Sequence, residues 1–255
     1  MRKSKPKKSI LEYYNDESSN ATEFRRLARN VRRYKNPSEI NSILVTSAAK
    51  HEGKSLIAAN LAIAIAKREE EKNVLLIDFD LRRPTIYSLF GIERIPGINS
   101  LLEGKSELYN VVHNTELANL KIIPSGRAID SPSQLLKNAK DVLDKCKESF
   151  DIIICDSPPV VPADDASMLA PYMEGVLMVV MAGKTDRMIV KRAVEILESV
   201  NAKILGIALN NLHKTLPYYY DYGYYRYKYD SELSNGKQDK KQITKSGDAN
   251  LEEKK

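Results

Sequence analysis

The sequence predicts an α/β fold built on a mainly parallel β-sheet with helices on both faces, followed by a disordered, tyrosine-rich C-terminal tail. Two observations carry this. Short, continuously apolar runs (Ile43-Leu44-Val45, Val74-Leu75-Leu76-Ile77, Ile152-Ile153-Ile154-Cys155, Val176–Met181, Ile204–Leu209) alternate with amphipathic segments of helical period, as expected of strands buried on both faces. From about residue 213 the chain turns polar and charged, apart from a run of tyrosines, and loses its periodicity. With 255 residues and 42% hydrophobic content there is enough for one large domain with tails.

Taken in order, the chain opens on MRKSKPKK, five basic side chains and no acid within a net charge of +6. Residues 1–19 read as a solvated, flexible segment, with a tether to anionic lipid or to an acidic partner as the sharper alternative. Thr22 to Tyr34 reads as a helix with Thr22 as N-cap, Phe24, Leu27, Ala28 and Val31 as its apolar stripe, and Glu23, Arg26 and Arg29 spaced along one charged side. Asn36-Pro37-Ser38 breaks the chain. A strand over Ser42–Thr46 leads to a helix from Ser55 to about Glu71, and a second strand over Val74–Ile77 ends at Asp78-Phe79-Asp80. Residues 81–119 are cut into short pieces by Pro84, Gly91, Pro96, Gly97 and Gly104. Beyond them come a strand over Leu120–Ile123, a helix over Ser133–Ser149 and a strand ending at Asp156. The last pieces are a strand over Val176–Met181, a helix over Arg187–Val200 and a final strand. Residues 20–212 form the folded domain and 213–255 the tail. The two cysteines, Cys146 and Cys155, read as apolar filler. No apolar run reaches the roughly 18 residues of a membrane span and no signal-peptide pattern opens the chain, so a cytosolic protein is expected.

The chemistry sits at strand ends. NSILVTSAAKHEGKSL (41–56) has the strand–loop–Gly-Lys-Ser–helix context of a P-loop, with Ala48 where the usual pattern has its first glycine. The backbone N–H groups of Glu52, Gly53, Lys54, Ser55 and Leu56 would cradle phosphate. Gly53 lets the backbone approach closely, Lys54 reaches the β- and γ-phosphates, and the Ser55 hydroxyl ligates Mg²⁺. In VLLIDFD (74–80) alternation puts Asp78 and Asp80 on one side; in IIICDSPP (152–159) Asp156 has the setting of a Walker B carboxylate aimed at Mg²⁺. One strand-end aspartate alone often caps a turn; three on one edge beside a P-loop point to Mg·ATP and phosphoryl transfer. Asp78 is the first candidate base and Asp80 the second. Arg82 and Arg83 are placed to contact phosphate, and Asn210-Asn211 to hydrogen-bond the base edge. Eight of the 14 tyrosines, Tyr218, Tyr219, Tyr220, Tyr222, Tyr224, Tyr225, Tyr227 and Tyr229, crowd into the tail. They read as phosphoacceptors for the chain's own active site, as a stacking surface for single-stranded nucleic acid, or as a merely biased segment.

SAAKHEGKS, LLIDFDLRRP, IIICDSPP and the tyrosine cluster, in this order, resemble the bacterial tyrosine kinase family. The likeness is to its stand-alone form from Gram-positive capsule and exopolysaccharide systems, related to MinD/ParA P-loop ATPases. The resemblance spans about residues 20–229 and includes the family's E-x-x-R-x-x-R helix as Glu23, Arg26 and Arg29. It implies a P-loop NTPase-like fold and ATP-dependent autophosphorylation of the tyrosine tail of a neighbouring subunit. Asp78 and Asp80 would assist Mg²⁺ and catalysis, with Ser55, Asp78 and Asp156 around the metal. It further implies a ring-shaped homo-oligomer held by the Glu23–Arg29 helix, and activation by a membrane-anchored polysaccharide co-polymerase at the inner face of the cell membrane. A tyrosine phosphatase would reverse the modification. No nucleic-acid partner is expected. Two departures stand out. Lys50-His51 replaces the family's Pro-Gly pair, and Ala49 stands where MinD-type ATPases carry their signature lysine, which weighs against a partitioning or positioning ATPase. A nucleotide-gated scaffold for polysaccharide assembly is the other alternative.

Overall fold

The computed structural model describes residues 8–33 and 40–211. The first seven residues, the Asn36-Pro37-Ser38 break and the tyrosine tail lie outside the described residues. A 3₁₀ turn over Ile10–Tyr13 precedes α1 (Ser19–Arg32), β1 (Ser42–Ser47), α2 (Lys54–Arg68) and β2 (Val74–Asp78). Three short helices follow, α3 (Ile86–Phe90), α4 (Ile98–Leu102) and α5 (Leu108–Val111), then β3 (His113–Asn114) and β4 (Leu120–Ile123). The second half runs α6 (Ser133–Leu136), α7 (Ala139–Ser149), β5 (Ile152–Asp156), α8 (Asp165–Leu169), β6 (Gly175–Met181), α9 (Arg187–Ser199) and β7 (Ile204–Asn210). The sheet order is β3-β4-β2-β5-β1-β6-β7. All neighbouring strands are parallel except β3, which pairs antiparallel with β4 at the edge.

Because side chains alternate along each strand, the continuous apolar runs feed two separate cores. Leu44, Leu75, Ile77, Ile153 and Met178 face the layer built from α4 and α6 to α9. Ile43, Val45, Leu76, Ile154 and Val179 face α1, α2 and α3. The helix after the first strand is apolar all round, with Ile57 to Ala66 buried except Asn60. Such a helix needs cover on every side, and α1 provides it by lying over α2 on the face away from the sheet. Cys146 and Cys155 are buried free thiols of the first core, and burial pushes Cys146 up to about 12. Among the described residues no helix is long and apolar enough to cross a membrane.

Three expectations need correction. The first helix starts at Ser19, with Ser18 Oγ accepting from the Ala21 N–H at 3.1 Å; Thr22 lies one turn inside, its hydroxyl bonded back to the Ser18 carbonyl at 3.3 Å. The helix expected over Ser133–Ser149 is broken between Leu136 and Ala139, where the Asn138 amide turns to donate to the Leu102 carbonyl at 2.9 Å. The pieces before β4 include an antiparallel strand, too short at two residues to leave a period-2 trace in the sequence.

Arg32, at the end of α1, is 2% exposed. Its guanidinium donates to both carboxylate oxygens of Glu69 at 3.3 and 2.9 Å, to Asn41 Oδ1 at 2.7 Å and to the Ile40 carbonyl. One side chain thus ties the covering helix to the end of α2 and to the entry of the central strand. Removing one partner of such a buried pair leaves the other charge uncompensated. Arg32→Ala is therefore expected to destabilise the domain by about 3 kcal/mol, seen as a lower denaturation midpoint with an unchanged m-value.

Candidate active site

β1 delivers the chain to a loop of residues 48–53 at the carboxyl edge of the sheet, where ligands bind in open α/β folds. Two residues of that loop are left-handed, His51 with φ 64° and Gly53 with φ 86°. A Cβ on Gly53 would lie 2.3 Å from Asn210 Nδ2, the tip of a side chain that can turn away; the left-handed backbone is what disfavours other residues here. Gly53 is also the N-cap of α2 and supplies no side-chain bond to the helix's first N–H groups. The N-termini of α1 and α9, by contrast, are sealed by Ser18 and Asp186. An uncapped helix start carries unsatisfied donors and the positive end of the helix dipole, which suits a phosphate.

The carboxylates come from the neighbouring strands. β2 and β5 pair so that Asp78 stands opposite Asp156, and both are fully buried. Asp78 Oδ2 accepts from the Thr85 and Ile86 N–H groups, both at 3.1 Å, and Oδ1 from the Asp80 N–H at 3.1 Å. It shapes the loop that returns beside the site. Asp80 accepts from the Arg83 N–H at 2.9 Å and from Lys54 Nζ at 2.7 Å. Lys54 Nζ also stands 3.7 Å from Asp156 and 3.3 Å from Ser55 Oγ. Neither oxygen of Asp156 has a hydrogen-bond partner, although both are buried. Burial, with Asp156 as neighbour, holds the Asp78 carboxyl well above its ordinary range. Burial pushes Asp156 up to about 6 against the opposing pull of Lys54. Lys54 is pulled down by burial but raised overall by Asp156 and Asp80.

Lys54, Ser55, Asp78, Asp80 and Asp156 are thus brought together as expected. A buried carboxylate whose oxygens make no hydrogen bond and whose ion-pair partner Lys54 stands at 3.7 Å, beside a hydroxyl at the open end of a helix, fits a hard, oxygen-seeking cation such as Mg²⁺. Asp156 and Ser55 are the residues that would hold it, with Asp78 behind them. Leu56 lies in the first turn of α2 with a half-exposed side chain. Asn210 ends β7 beneath the loop, and its amide donates to the Glu52 carbonyl at 2.9 Å. The expectation for Arg82 fails: its guanidinium grips both oxygens of buried Asp165 at 3.0 Å and the Asp130 carbonyl at 2.5 Å, bonds that fasten the loop after β2 to α8. Glu23, Arg26 and Arg29 lie away from the core on the exposed side of α1, with Glu23 and Arg26 paired at 2.7 Å. The tyrosine cluster lies outside the described residues. Sequence reasoning missed Asp165 and the buried side chain of Glu52; Arg82 lies 83 positions from Asp165 and Thr185 lies 133 from Glu52, so no local spacing could announce either contact.

A family model described as ParA, NUBPL iron-transfer P-loop NTPase, matches residues 39–221. The chain is 32% identical over 226 residues to the tyrosine-protein kinase YwqD of Bacillus subtilis, covering 88% of this chain and 94% of that protein. It is 34% identical to the tyrosine-protein kinase CpsD of Streptococcus agalactiae, over 72% of this chain and 82% of that one. Among solved structures, the chimerical protein CapA2B2 superposes with a TM-score of 0.74 at 30% identity, covering 80% of this chain and 89% of the other. The kinase domain of the Escherichia coli tyrosine kinase ETK gives the same TM-score at 27% identity, covering 82% and 83%. MinD of Pyrococcus horikoshii complexed with Mg-ADP shares the fold, with a TM-score of 0.60 at 21% identity, covering 69% and 73%.

Two outcomes follow from the loop and the carboxylates. His51 holds a left-handed conformation that glycine adopts at no steric cost. His51→Gly is therefore expected to stabilise the protein by about 1 kcal/mol, measured by denaturant unfolding. Asp156 has a folded pKa raised from 3.8 to about 6, so between those values the native state binds more protons than the unfolded chain. This group's contribution to stability therefore falls as pH rises from about 4 to about 6. In nucleotide-free protein, Asp156→Asn should flatten that part of the stability profile and raise the melting temperature at pH 7, while abolishing Mg²⁺-dependent nucleotide binding.

Proposed function

Since the chain belongs to the bacterial tyrosine-protein kinases within the ParA-like P-loop NTPases, we propose that it transfers the γ-phosphoryl group of Mg·ATP to tyrosines of its own C-terminal cluster, presented by a neighbouring copy. The single observation that supports this best is the convergence of Lys54, Ser55 and the buried Asp156 carboxylate, which makes no hydrogen bond, at the uncapped start of α2.

Phosphoryl transfer asks the protein mainly for positioning and for charge aimed at the transferring group. In this reading the loop amides and the start of α2 receive the β- and γ-phosphates. Lys54 exchanges Asp80 and Asp156 for the phosphate oxygens. Mg²⁺, when bound, neutralises charge on those oxygens. As Lys54 leaves, Asp156 and Ser55 are the residues that would hold the ion. Asp78 or the released Asp80 takes the proton of the attacking tyrosine hydroxyl; burial and the neighbouring Asp156 strengthen the Asp78 carboxylate's hold on a proton. Asn210 sits beside the loop, where an amide side chain can read the base edge. The acceptors are Tyr218 to Tyr229, and Glu23, Arg26 and Arg29 on the free side of α1 contact the next subunit of a ring. The biological role is control of capsular or exopolysaccharide synthesis and export from the inner face of the cell membrane. A membrane-anchored co-polymerase segment would act as activator and a tyrosine phosphatase as its opponent. Each phosphate added to the tail brings about −1.5 to −2 charge, which would drive the tail out of the neighbouring site.

After incubation with Mg·ATP and a co-polymerase activator segment, peptide mass spectrometry should find phosphate on residues 217–229 of the wild-type chain and none in Lys54→Met or Asp78→Ala. Phosphate released to water with an unmodified tail would show a hydrolytic ATPase instead. ATP bound without turnover would show a nucleotide-gated scaffold.

A further inference from the structure

Glu52 precedes the Gly-Lys-Ser triplet, yet its side chain is only 3% exposed. One carboxylate oxygen accepts from the Ala49 N–H at 2.6 Å, across the phosphate loop itself. The other accepts from the Thr185 hydroxyl and, at 3.4 Å, from the Met181 N–H. Thr185 Oγ1 in turn accepts from Met181 N–H at 3.2 Å, and the Glu52 carbonyl accepts from the Asn210 amide at 2.9 Å. The loop is thereby fastened to the ends of β6 and β7 and to the turn that leads into α9.

Electrostatics make this placement odd. A carboxylate next to a triphosphate site repels its ligand, and among the described residues no lysine or arginine pairs with Glu52. Every donor it meets is neutral. Its presence has to be explained by what its oxygens hold.

We propose that Glu52 is a positioning residue. Its side chain does not touch nucleotide; it holds the phosphate loop in the receiving conformation by bridging Ala49 to Thr185, and Thr185 is the anchor on the far side. The Ala49 N–H, spent on Glu52, is withdrawn from the phosphate cradle, and the loop turns back through His51 and Gly53 because both ends of that bridge are fixed. This inference rests on the nucleotide-site reading of the loop.

Charge and position make opposite forecasts. If the negative charge were what matters, Glu52→Gln and Glu52→Ala would both tighten binding of a Mg²⁺-bound, non-hydrolysable ATP analogue. If position matters, Glu52→Gln, which keeps an acceptor for Ala49 and a polar partner for Thr185, binds at least as well as wild type. Glu52→Ala then weakens binding about tenfold or more, the size expected for losing hydrogen bonds to a charged group. Thr185→Val, at a partly exposed position, loses affinity in the same direction, and combining it with Glu52→Ala adds little. Amide hydrogen exchange on the full-length, nucleotide-free chain reads the brace directly: Ala49 should be protected in wild type and Glu52→Gln, and exposed in Glu52→Ala. Equal affinity in wild type, Glu52→Ala and Thr185→Val would overturn the proposal, as would unchanged exchange at Ala49 in Glu52→Ala. A wild-type chain that binds no ATP analogue would overturn the nucleotide-site reading alone, because the exchange comparison judges the brace without nucleotide.

Discussion

Asp78 and Asp156 stand side by side on paired strands, both out of contact with water, and Lys54 is the cation that lets them stay there. Burial makes charge costly on both carboxyls, and for Asp78 the neighbouring Asp156 adds to that cost. The lysine at the start of α2, reaching Asp80 at 2.7 Å and Asp156 at 3.7 Å, offsets that cost. The sheet order follows from the same need. β1, which ends in the phosphate loop, lies next to β5, which ends in Asp156, and β5 lies next to β2, which ends in Asp78 and leads to Asp80. β5 brings one carboxylate to this edge and β2 leads to two, and the loop between β1 and α2 sets the balancing charge of Lys54 beside them.

The rest of the molecule holds that edge rigid. Buried on both faces, the strands cannot slip by one residue without exchanging their two cores. α2 is packed against the sheet on one side and under α1 on the other, so its first turn, with Lys54 and Ser55, is fixed by a helix with little freedom to move. Arg32 fastens the covering helix from beneath, and Arg82 with Asp165 fastens the loop that follows Asp78 and Asp80. These are buried or half-buried ion pairs. They serve the site by keeping its walls in place.

The price of the arrangement is paid inside the loop. A histidine in a left-handed conformation, an uncapped helix and a buried carboxylate without a hydrogen bond each oppose stability in the nucleotide-free protein. Nucleotide and a divalent cation would satisfy the last two. His51 is different, since no ligand relieves a backbone conformation. Glycine is the residue that a left-handed φ at this place favours.

Much of the fold was legible from the sequence because it rests on local repetition. Apolar runs of three to six residues, the alternation with amphipathic helices and the Gly-Lys-Ser triplet are patterns within a short window, and they placed Lys54, Ser55, Asp78, Asp80 and Asp156 on one edge. The elements misread were those whose limits depend on contacts from elsewhere. Ser18, not Thr22, caps α1, and Asn138 breaks a helix to reach the carbonyl of Leu102. The sequence alone therefore determined which residues carry charge to the site and on which strand ends they lie. Only the tertiary structure decided how those charges are shared: that Arg82 belongs to Asp165, that Lys54 rests between Asp80 and Asp156, and that Glu52 reaches Thr185. A hydrogen bond between groups more than 80 residues apart leaves no period or spacing in the chain; it exists only once the sheet has brought its strand ends together.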